Sequence, residues 1–370
     1  MVVGVQFGGP VVEMGEYGWD AERETEFLTH GEHGLVPGRV VKQSRDLSTV
    51  MTPAGETDAE VSGRYRRAAL GASGFPAVGD WVALRLVPDG RAVIEALLPR
   101  RGTFTRRAAG DAVAAQVVAA NVDVVFLVSG LDGDFSLRRI ERYVTTAWSS
   151  GAEPVVVLNK ADLSADLADV VAATTAVAPG VAVVATRALG VGGLDPLQPY
   201  LVPGRTVALL GSSGVGKSTL VNSLLGENRL ATGAVSDAHA GRGRHTTTVR
   251  ELVRLPGGTL LIDTPGLREL GLWADADALD RTFEDVDGLA LACRFPDCRH
   301  HHEPGCAVRA AVDAGARDAE RLESYLKLKR ELENLEARKD EKSRRRLEKA
   351  LGRDFAVRRT EVSRNKPGYP

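Results

Sequence analysis

At 370 residues, with 44% hydrophobic and 26% charged residues and a formal net charge of -2, the chain is too long for one ordinary domain and is neither globally basic nor disordered. No run of about eighteen apolar residues is present to cross a bilayer, and Met1-Val2-Val3-Gly4 has no basic flank leading into an apolar core, so a cytoplasmic protein without a membrane partner is expected. The 3 cysteines fall in one short window, which points away from a secreted disulfide framework and toward metal binding.

In chain order, residues 1–33 set Glu13, Glu16, Asp20, Glu22, Glu24 and Glu26 against a lone Arg23 without clear apolar periodicity, and predict a mobile acidic extension. Over 34–108, short β-rich runs such as Gly38 to Val41, Asp80 to Leu86 and Ala92 to Leu98 alternate with Gly, Pro and Asp turns, a pattern that suits a small β-barrel. From 109 to 275 the texture changes to apolar strands separated by helical stretches: Val122 to Val128, Glu153 to Leu158, Val181 to Ala185 and Thr206 to Leu210. That alternation predicts a multidomain α/β protein in which a parallel sheet carries its ligand loops at the strand C-termini.

Three such loops have nucleotide chemistry. Asn159-Lys160-Ala161-Asp162 has the N-K-x-D form, in which Asp162 can accept from both the ring N–H and the exocyclic amine of guanine, Lys160 can lie over the base and Asn159 can tie loops together. Adenine lacks that donor pair, so Asp162 should discriminate against ATP. Thr186, after the next strand, belongs to the loop whose backbone N–H would meet the guanine carbonyl. Gly211-Ser212-Ser213-Gly214-Val215-Gly216-Lys217-Ser218 then fits G-x-x-x-x-G-K-[ST] between an apolar strand and the helix opened by Thr219. Its N–H groups converge on phosphates at a helix N-terminus, Lys217 supplies a point charge and Ser218 offers a hydroxyl to Mg²⁺. The guanine motif precedes the phosphate loop, the order of a circularly permuted P-loop GTPase.

Asp263-Thr264-Pro265-Gly266 follows the buried run Leu260-Leu261-Ile262; Asp263 can bind Mg²⁺ through water and Gly266 can present its N–H to the γ-phosphate, which makes the segment a switch. Upstream, Gly241-Arg242-Gly243-Arg244-His245-Thr246-Thr247-Thr248 ends in threonines, of which Thr247 is expected to complete the Mg²⁺ shell. Leu267 stands where a water-orienting glutamine is common and cannot hydrogen-bond water, so intrinsic hydrolysis should be slow, with His245 a candidate substitute.

The last region, 276–370, holds a helical lead-in around Arg281 to Leu289, a cysteine and histidine window, and an Arg/Lys/Glu-rich helix from about Ala316 to Leu351. Cys293-x4-Cys298-x-His300-x5-Cys306 supplies the Cys₃His set of a closed structural zinc site, with His301 and His302 as alternatives to His300. The permuted order leaves Asp263 to Gly266 a short covalent route to this region, which predicts that nucleotide state and the metal-stapled domain are coupled.

Taken with Ala119-Ala120-Asn121-Val122-Asp123, GRHTTT, DTPGL and CRFPDC…EPGC, these motifs resemble the ribosome small-subunit-dependent GTPase A family, also called RsgA or YjeQ. The resemblance covers nearly the whole chain from about Gly34. It implies an N-terminal OB-fold barrel, a permuted GTPase domain using GTP/GDP and Mg²⁺, and a C-terminal zinc-binding helical domain with one structural ion. It also implies GTP hydrolysis stimulated by the small ribosomal subunit during its late maturation, with rRNA contacts through the barrel and the zinc domain, by a chain expected to be monomeric. The basic clusters Arg100, Arg101, Arg106 and Arg107 and the Lys/Arg-rich tail are consistent with RNA contact. The alternative reading is a nucleotide-gated RNA-binding module with incidental hydrolysis.

Overall fold

The computed structural model describes residues 11–341 apart from 45–46, 70, 89, 109–110, 134, 191, 228–249, 264–274 and 339; for 107–108 and 111–115 it describes the backbone alone. Among the described residues no helix is long and apolar enough to cross a membrane.

The acidic segment is the first correction. From Met14 on it is packed: a single 3-10 turn, Met14–Tyr17, leads into helix α1, Ala21–Glu32, where the Asp20 side chain caps the helix by accepting from the Arg23 N–H at 2.9 Å. Its inward face is carried by Arg23 and Phe27, four residues apart and both buried. Phe27 and Met14 pack with Trp81 and Leu98, and Trp19 meets the Trp81 ring edge-on at 4.9 Å. Arg23 donates to Glu26 at 2.7 Å and to Asn121 Oδ1 at 2.9 Å. A helix that docks through an arginine shows no apolar periodicity, which is why the segment reads as unattached.

Strands β1 (Val36–Gln43), β2 (Ser48–Thr52) and β3 (Gly55–Val61) form a meander; helix α2 (Gly63–Ala68) follows, then β4 (Trp81–Arg85) and β5 (Ala92–Leu97). The order β1-β2-β3-β5-β4 closes because β4 pairs back onto β1 through Val36↔Leu84 to Arg39↔Trp81. All of these pairings are antiparallel except β3 with β5. This is the five-stranded OB-fold barrel, filled by Val40, Val50, Ala59, Val82, Leu84, Ala92 and Ile94.

Strands β6 (Thr103–Ala108) and β7 (Asp111–Ala120) then form an antiparallel hairpin, so the boundary expected at 108/109 falls at its turn. Phe104 of β6 packs into the core of the following domain.

The second domain continues with β8 (Val124–Gly130), α3 (Leu137–Ser149), β9 (Glu153–Asn159), α4 (Leu167–Val177), β10 (Ala182–Thr186), β11 (Thr206–Leu210), α5 (Lys217–Leu225), β12 (Arg250–Arg254) and β13 (Leu260–Asp263). Across the sheet the order is β10-β9-β8-β11-β13-β12, parallel apart from β12. The permutation is visible in space: the chain lays β8, β9 and β10 outward, then returns to place β11 on the other side of β8. That reversal creates the switch point at which ligands bind beyond the strand C-termini. Every residue of β8 is buried, and alternation divides the sheet cleanly. Val125, Leu127, Val156 and Leu158 face α3 and α4, while Val124, Phe126, Val155 and Val157 face α5.

The sheets of the barrel and the second domain are continuous, since β1 also pairs with β12 through Lys42↔Glu251 and Gln43↔Arg250. The C-terminal domain comprises α6 (Ala276–Thr282), α7 (Glu284–Ala290), α8 (Ala307–Asp313) and α9, residues 319–338. Leu279, Phe283, Val286, Val308, Leu322, Tyr325, Leu328 and Leu332 form its core together with Cys306. The α9 members recur at helical spacing, as an amphipathic stripe requires.

Candidate functional site

The phosphate loop leaves β11 at Leu210 and enters α5 at Lys217. Two of its glycines are required by crowding. A Cβ on Gly211 would collide with the Val128 carbonyl of β8, and Gly216, at φ 97°, has Asn159 Nδ2 where its Cβ would stand. Ser212, Ser213, Gly214 and Val215 complete the turn, and Val215 is buried under it. Lys217 is 8% exposed and folds back over the loop, its Nζ donating to the Gly211 carbonyl at 2.7 Å and to the Ser212 carbonyl. Ser218 and Thr219 follow in the first turn of α5, where the N-terminal backbone N–H groups and the helix dipole favour an anion.

Asn159 joins this loop to the N-K-x-D segment. Only 1% exposed, it donates from Nδ2 to the Val215 carbonyl at 2.9 Å, while its Oδ1 accepts from Thr186 Oγ1 and from the Ala188 N–H, each at 3.2 Å. One amide thereby fixes the loops after β9, β10 and β11. Thr186, 1% exposed, sits opposite Asn159 in the β10–β9 register and positions its loop through its hydroxyl. Lys160 adopts φ 60°, ψ 40°, a left-handed conformation that disfavours a side chain, and is held there by Nζ contacts to Asp132 and, at 2.8 Å, to the Gly214 carbonyl. Its aliphatic stem thus runs along the phosphate loop. Asp162 lies on the one-turn helix Ala161–Leu163, exposed at the mouth of the site.

Asp263 ends β13, one residue beyond the Ala208↔Ile262 pair, and so stands beside β11 near the start of the phosphate loop. His245, Thr247, Gly266 and Leu267 lie outside the described residues, as does the tail beyond residue 341.

The cysteine window folds into one cluster. Cys293, Cys298, His300 and Cys306 bring their ligand atoms within 4.8 Å of one another. Cys293 Sγ lies 3.7 Å from His300 Nδ1 and 3.9 Å from Cys306 Sγ, and His300 Nδ1 lies 3.4 Å from Cys306 Sγ. Tetrahedral zinc with bonds of about 2.3 Å to sulfur and about 2.0 Å to nitrogen requires edges of roughly 3.8 Å and 3.5 Å, so the residues fit that ion. His300 is 3% exposed with φ 61°, whereas His301 and His302 point to solvent; the cluster uses His300. Burial lowers the His300 pKa, which favours the neutral imidazole a metal binds. Glu303 shapes the turn: its carboxylate accepts from the N–H groups of Arg299, His301 and His302 at 3.0, 2.8 and 3.0 Å. Its pKa is pushed down to about 2, its own backbone N–H being the largest cause. Cys306 Sγ also caps α8 by accepting from the Arg309 N–H at 3.4 Å.

The basic surface expected at the end of the barrel is corrected in part. Arg100 is turned inward, paired with buried Asp80 at 2.6 Å and donating to the Ser73 and Phe75 carbonyls at 2.6 and 2.8 Å. Arg101 is neutralised by Asp20 at 2.6 Å and Glu22 at 3.0 Å from the acidic segment. Arg106 donates to Gln116 at 3.1 Å, and the Arg107 side chain is outside the described set. The cations of one segment are the counter-ions of another, which local charge counting does not reveal.

Sequence reading also missed the joint between the GTPase and C-terminal domains. Arg321, 5% exposed, donates to Glu141 Oε1 of α3 at 2.8 Å, the Val177 carbonyl at 3.0 Å, the Thr282 carbonyl at 3.0 Å and Asp285 at 2.6 Å. Arg142 makes a bidentate pair with Glu331 at 2.8 and 2.7 Å. The Arg281 guanidinium stacks over Trp148 at 3.3 Å from the ring centroid. The only local signal is the dense arginine run on α3, which reads equally well as a solvated face.

Comparison with known proteins matches residues 97–273 to the RsgA GTPase family model. The small ribosomal subunit biogenesis GTPase RsgA of Opitutus terrae is 51% identical over 324 residues, covering 85% of this chain and 88% of that protein. The protein of the same name from Streptomyces coelicolor is 42% identical over 359 residues, 96% of each chain. Among solved structures, YjeQ from Thermotoga maritima is 29% identical with a TM-score of 0.60, covering 80% of this chain and 98% of that one. YloQ, a circularly permuted GTPase, shares the fold at 22% identity and a TM-score of 0.58, covering 82% of this chain and 96% of that one.

Proposed function

The chain belongs to the RsgA GTPase family, and from that premise we propose that it hydrolyses GTP to GDP and phosphate in the biogenesis of the small ribosomal subunit, which stimulates it. The observation that carries the reading is Asn159, whose single amide holds the guanine loop, the loop after β10 and the phosphate loop in one arrangement. In it, Asp162 receives the guanine donors, Lys160 covers the base, and the backbone of Gly211 to Ser218 receives the phosphates. Lys217, held at the loop carbonyls, places its charge beside the β/γ oxygens. Ser218 and Thr247 would hold Mg²⁺ and Asp263 would reach it through water; such an ion would supply positive charge against the charge developing on the transferred phosphoryl group. Gly266 presents an N–H to the γ-phosphate, and His245 orients the water in place of the residue that Leu267 does not supply.

Cys293, Cys298, His300 and Cys306 bind one structural zinc ion. No position is left for a reacting water, so the ion serves the fold of the C-terminal domain. The partners are the small subunit and its rRNA, met by the barrel and the C-terminal domain, and the protein acts in the cytoplasm as a monomer. We assign residues 34–108 to the barrel, 109–275 to the GTPase unit and 276–370 to the zinc-binding unit, with α1 docked on the barrel.

The decisive experiment is single-turnover GTP hydrolysis with and without purified small ribosomal subunits, beside Lys217→Ala. Stimulation that Lys217→Ala abolishes supports the reading. No stimulation overturns the ribosomal half, and hydrolysis that survives Lys217→Ala overturns the assignment of the site.

A further inference from the structure

Helix α3 touches both the nucleotide site and the C-terminal domain within a single turn. Arg139 Nη1 donates to Ser212 Oγ of the phosphate loop at 3.1 Å. Its neighbours point the other way: Arg138 pairs with Asp318 at 2.5 Å, Glu141 receives Arg321 at 2.8 Å, and Arg142 grips Glu331 at 2.7 Å. Between these two sets, Ile140, Val144 and Ala147 are buried in the sheet-facing core, and Ser136 caps the helix by accepting from the Arg139 N–H at 3.4 Å. A helix packed and capped in this way moves as a unit, because a close-packed interior passes displacement on.

Ser212 is a sensitive place for such a displacement to arrive. Lys217 donates to the carbonyl of this same residue, so a shift of the Ser212 backbone moves an acceptor of the phosphate-binding ammonium. The contacts therefore run from Glu331 and Arg321, through α3 and Arg139, to Ser212 and Lys217. This path is separate from the covalent one through residues 264–274.

We propose that Arg139 is a positioning residue of the nucleotide site, setting the phosphate loop according to how the C-terminal domain holds α3. The inference rests on the GTPase reading of the phosphate loop and adds a regulatory input to it. A macromolecule that grips the C-terminal domain then alters nucleotide binding without touching the nucleotide. Allosteric coupling of this kind requires an energetic interaction between the two ends, which a double-mutant cycle measures.

The test uses the full chain and a fluorescent GDP analogue. Glu331→Gln loosens the outer end and Arg139→Met the inner end; each is expected to speed GDP release by about threefold, and the double variant no more than either alone, a non-additivity typical of residues in one network. In hydrolysis assays the same variants should raise KM with little change in kcat, and Arg139→Lys, whose ammonium can still reach the hydroxyl, should restore much of the wild-type rate of release. Ser212→Ala removes the acceptor instead of the donor and should speed GDP release in the same direction as Arg139→Met, and Arg139→Met on that background should add little, which keeps the test alive if one variant folds poorly. Effects that multiply in the double variant, or an unchanged release rate in Arg139→Met and Ser212→Ala, overturn the role of Arg139 while leaving the GTPase reading intact. Failure of the unsubstituted protein to bind the GDP analogue defeats the GTPase reading itself.

Discussion

Asn159 Nδ2 donates to the carbonyl of Val215 at 2.9 Å, joining the end of β9 to a phosphate loop 56 residues further along the chain. In a permuted chain the guanine loop is made first and must wait for the phosphate loop, and this contact sets the distance between them. Asn159→Ala leaves the Val215 carbonyl and the Ala188 N–H without that partner, at about 1–3 kcal/mol for buried groups. The expected outcome is a fall in GDP affinity of about tenfold or more, read by titration calorimetry. Unchanged affinity would show that the loops are held by other contacts.

Asp162 tests base recognition directly. Asp162→Asn replaces one acceptor of the guanine donor pair with an amide N–H, which faces the exocyclic amine with a donor but matches the carbonyl that xanthine carries there. GDP affinity should fall on the order of a hundredfold or more while xanthosine diphosphate binding appears. Competition between the two nucleotides for a fluorescent analogue checks both halves; loss of both would mean that the loop had collapsed.

Much of this site was legible because its chemistry restricts residue type. A backbone that passes close to Val128 and Asn159 needs Gly211 and Gly216, and the proposed guanine-selective pocket would need the carboxylate of Asp162, so the motifs stand out in one dimension. Buried parallel strands such as Val124–Gly130 were legible for a related reason, since both faces need apolar residues. What escaped was held by charge over long sequence separation. Arg23 meets Asn121, Arg101 meets Asp20 and Arg321 meets Glu141, and none of these pairs leaves a local period. Strand β3 escaped because Gly55–Val61 is half solvated and reads Gly-Glu-Thr-Asp, a composition that favours turns.

The docking of α1 should respond to acid. The Arg101 guanidinium, followed by the Arg23 N–H, holds the Asp20 carboxyl well below the usual carboxylate range. A depressed folded-state value means that this contribution is complete above the unfolded value of about 3.9 and is lost as pH falls below it. Because Trp19 packs on Trp81, tryptophan fluorescence should report α1 loosening below about pH 4, and Asp20→Asn should loosen it already at neutral pH. An identical acid titration in the two proteins would remove Asp20 from the account.

Metal removal provides a further check. Elemental analysis should give one zinc per chain, and Cys306→Ser should lose both a ligand and the cap of α8. Since Cys306 lies in the same core as Leu322 and Tyr325, chelation is expected to melt the C-terminal helices cooperatively, measured as lost helical circular dichroism. Helicity that survives complete zinc removal would show that the apolar core suffices by itself.

The Glu141–Arg321 pair gives a prediction with a sign in pH. Glu141 is fully buried, and burial raises its pKa despite the nearby guanidinium groups of Arg138 and Arg321. For a carboxyl raised in the folded state, the stabilising contribution is complete below the unfolded value of about 4.3 and is lost as pH climbs through the folded value. Arg321→Met removes one of the cations that oppose this rise, so the folded value moves up further and the variant's deficit should widen from about pH 4 toward neutrality. Arg138 still donates to the same oxygen at 2.5 Å, which holds the cost of the broken pair near the lower end for buried pairs, about 3 kcal/mol at neutral pH. Adding Glu141→Gln to Arg321→Met removes the titrating group and should flatten that dependence. Denaturant melts of the three proteins between pH 4 and pH 8 decide the matter, since a deficit independent of pH would mean that Arg321 matters only for its packing and its bonds to Asp285, Thr282 and Val177.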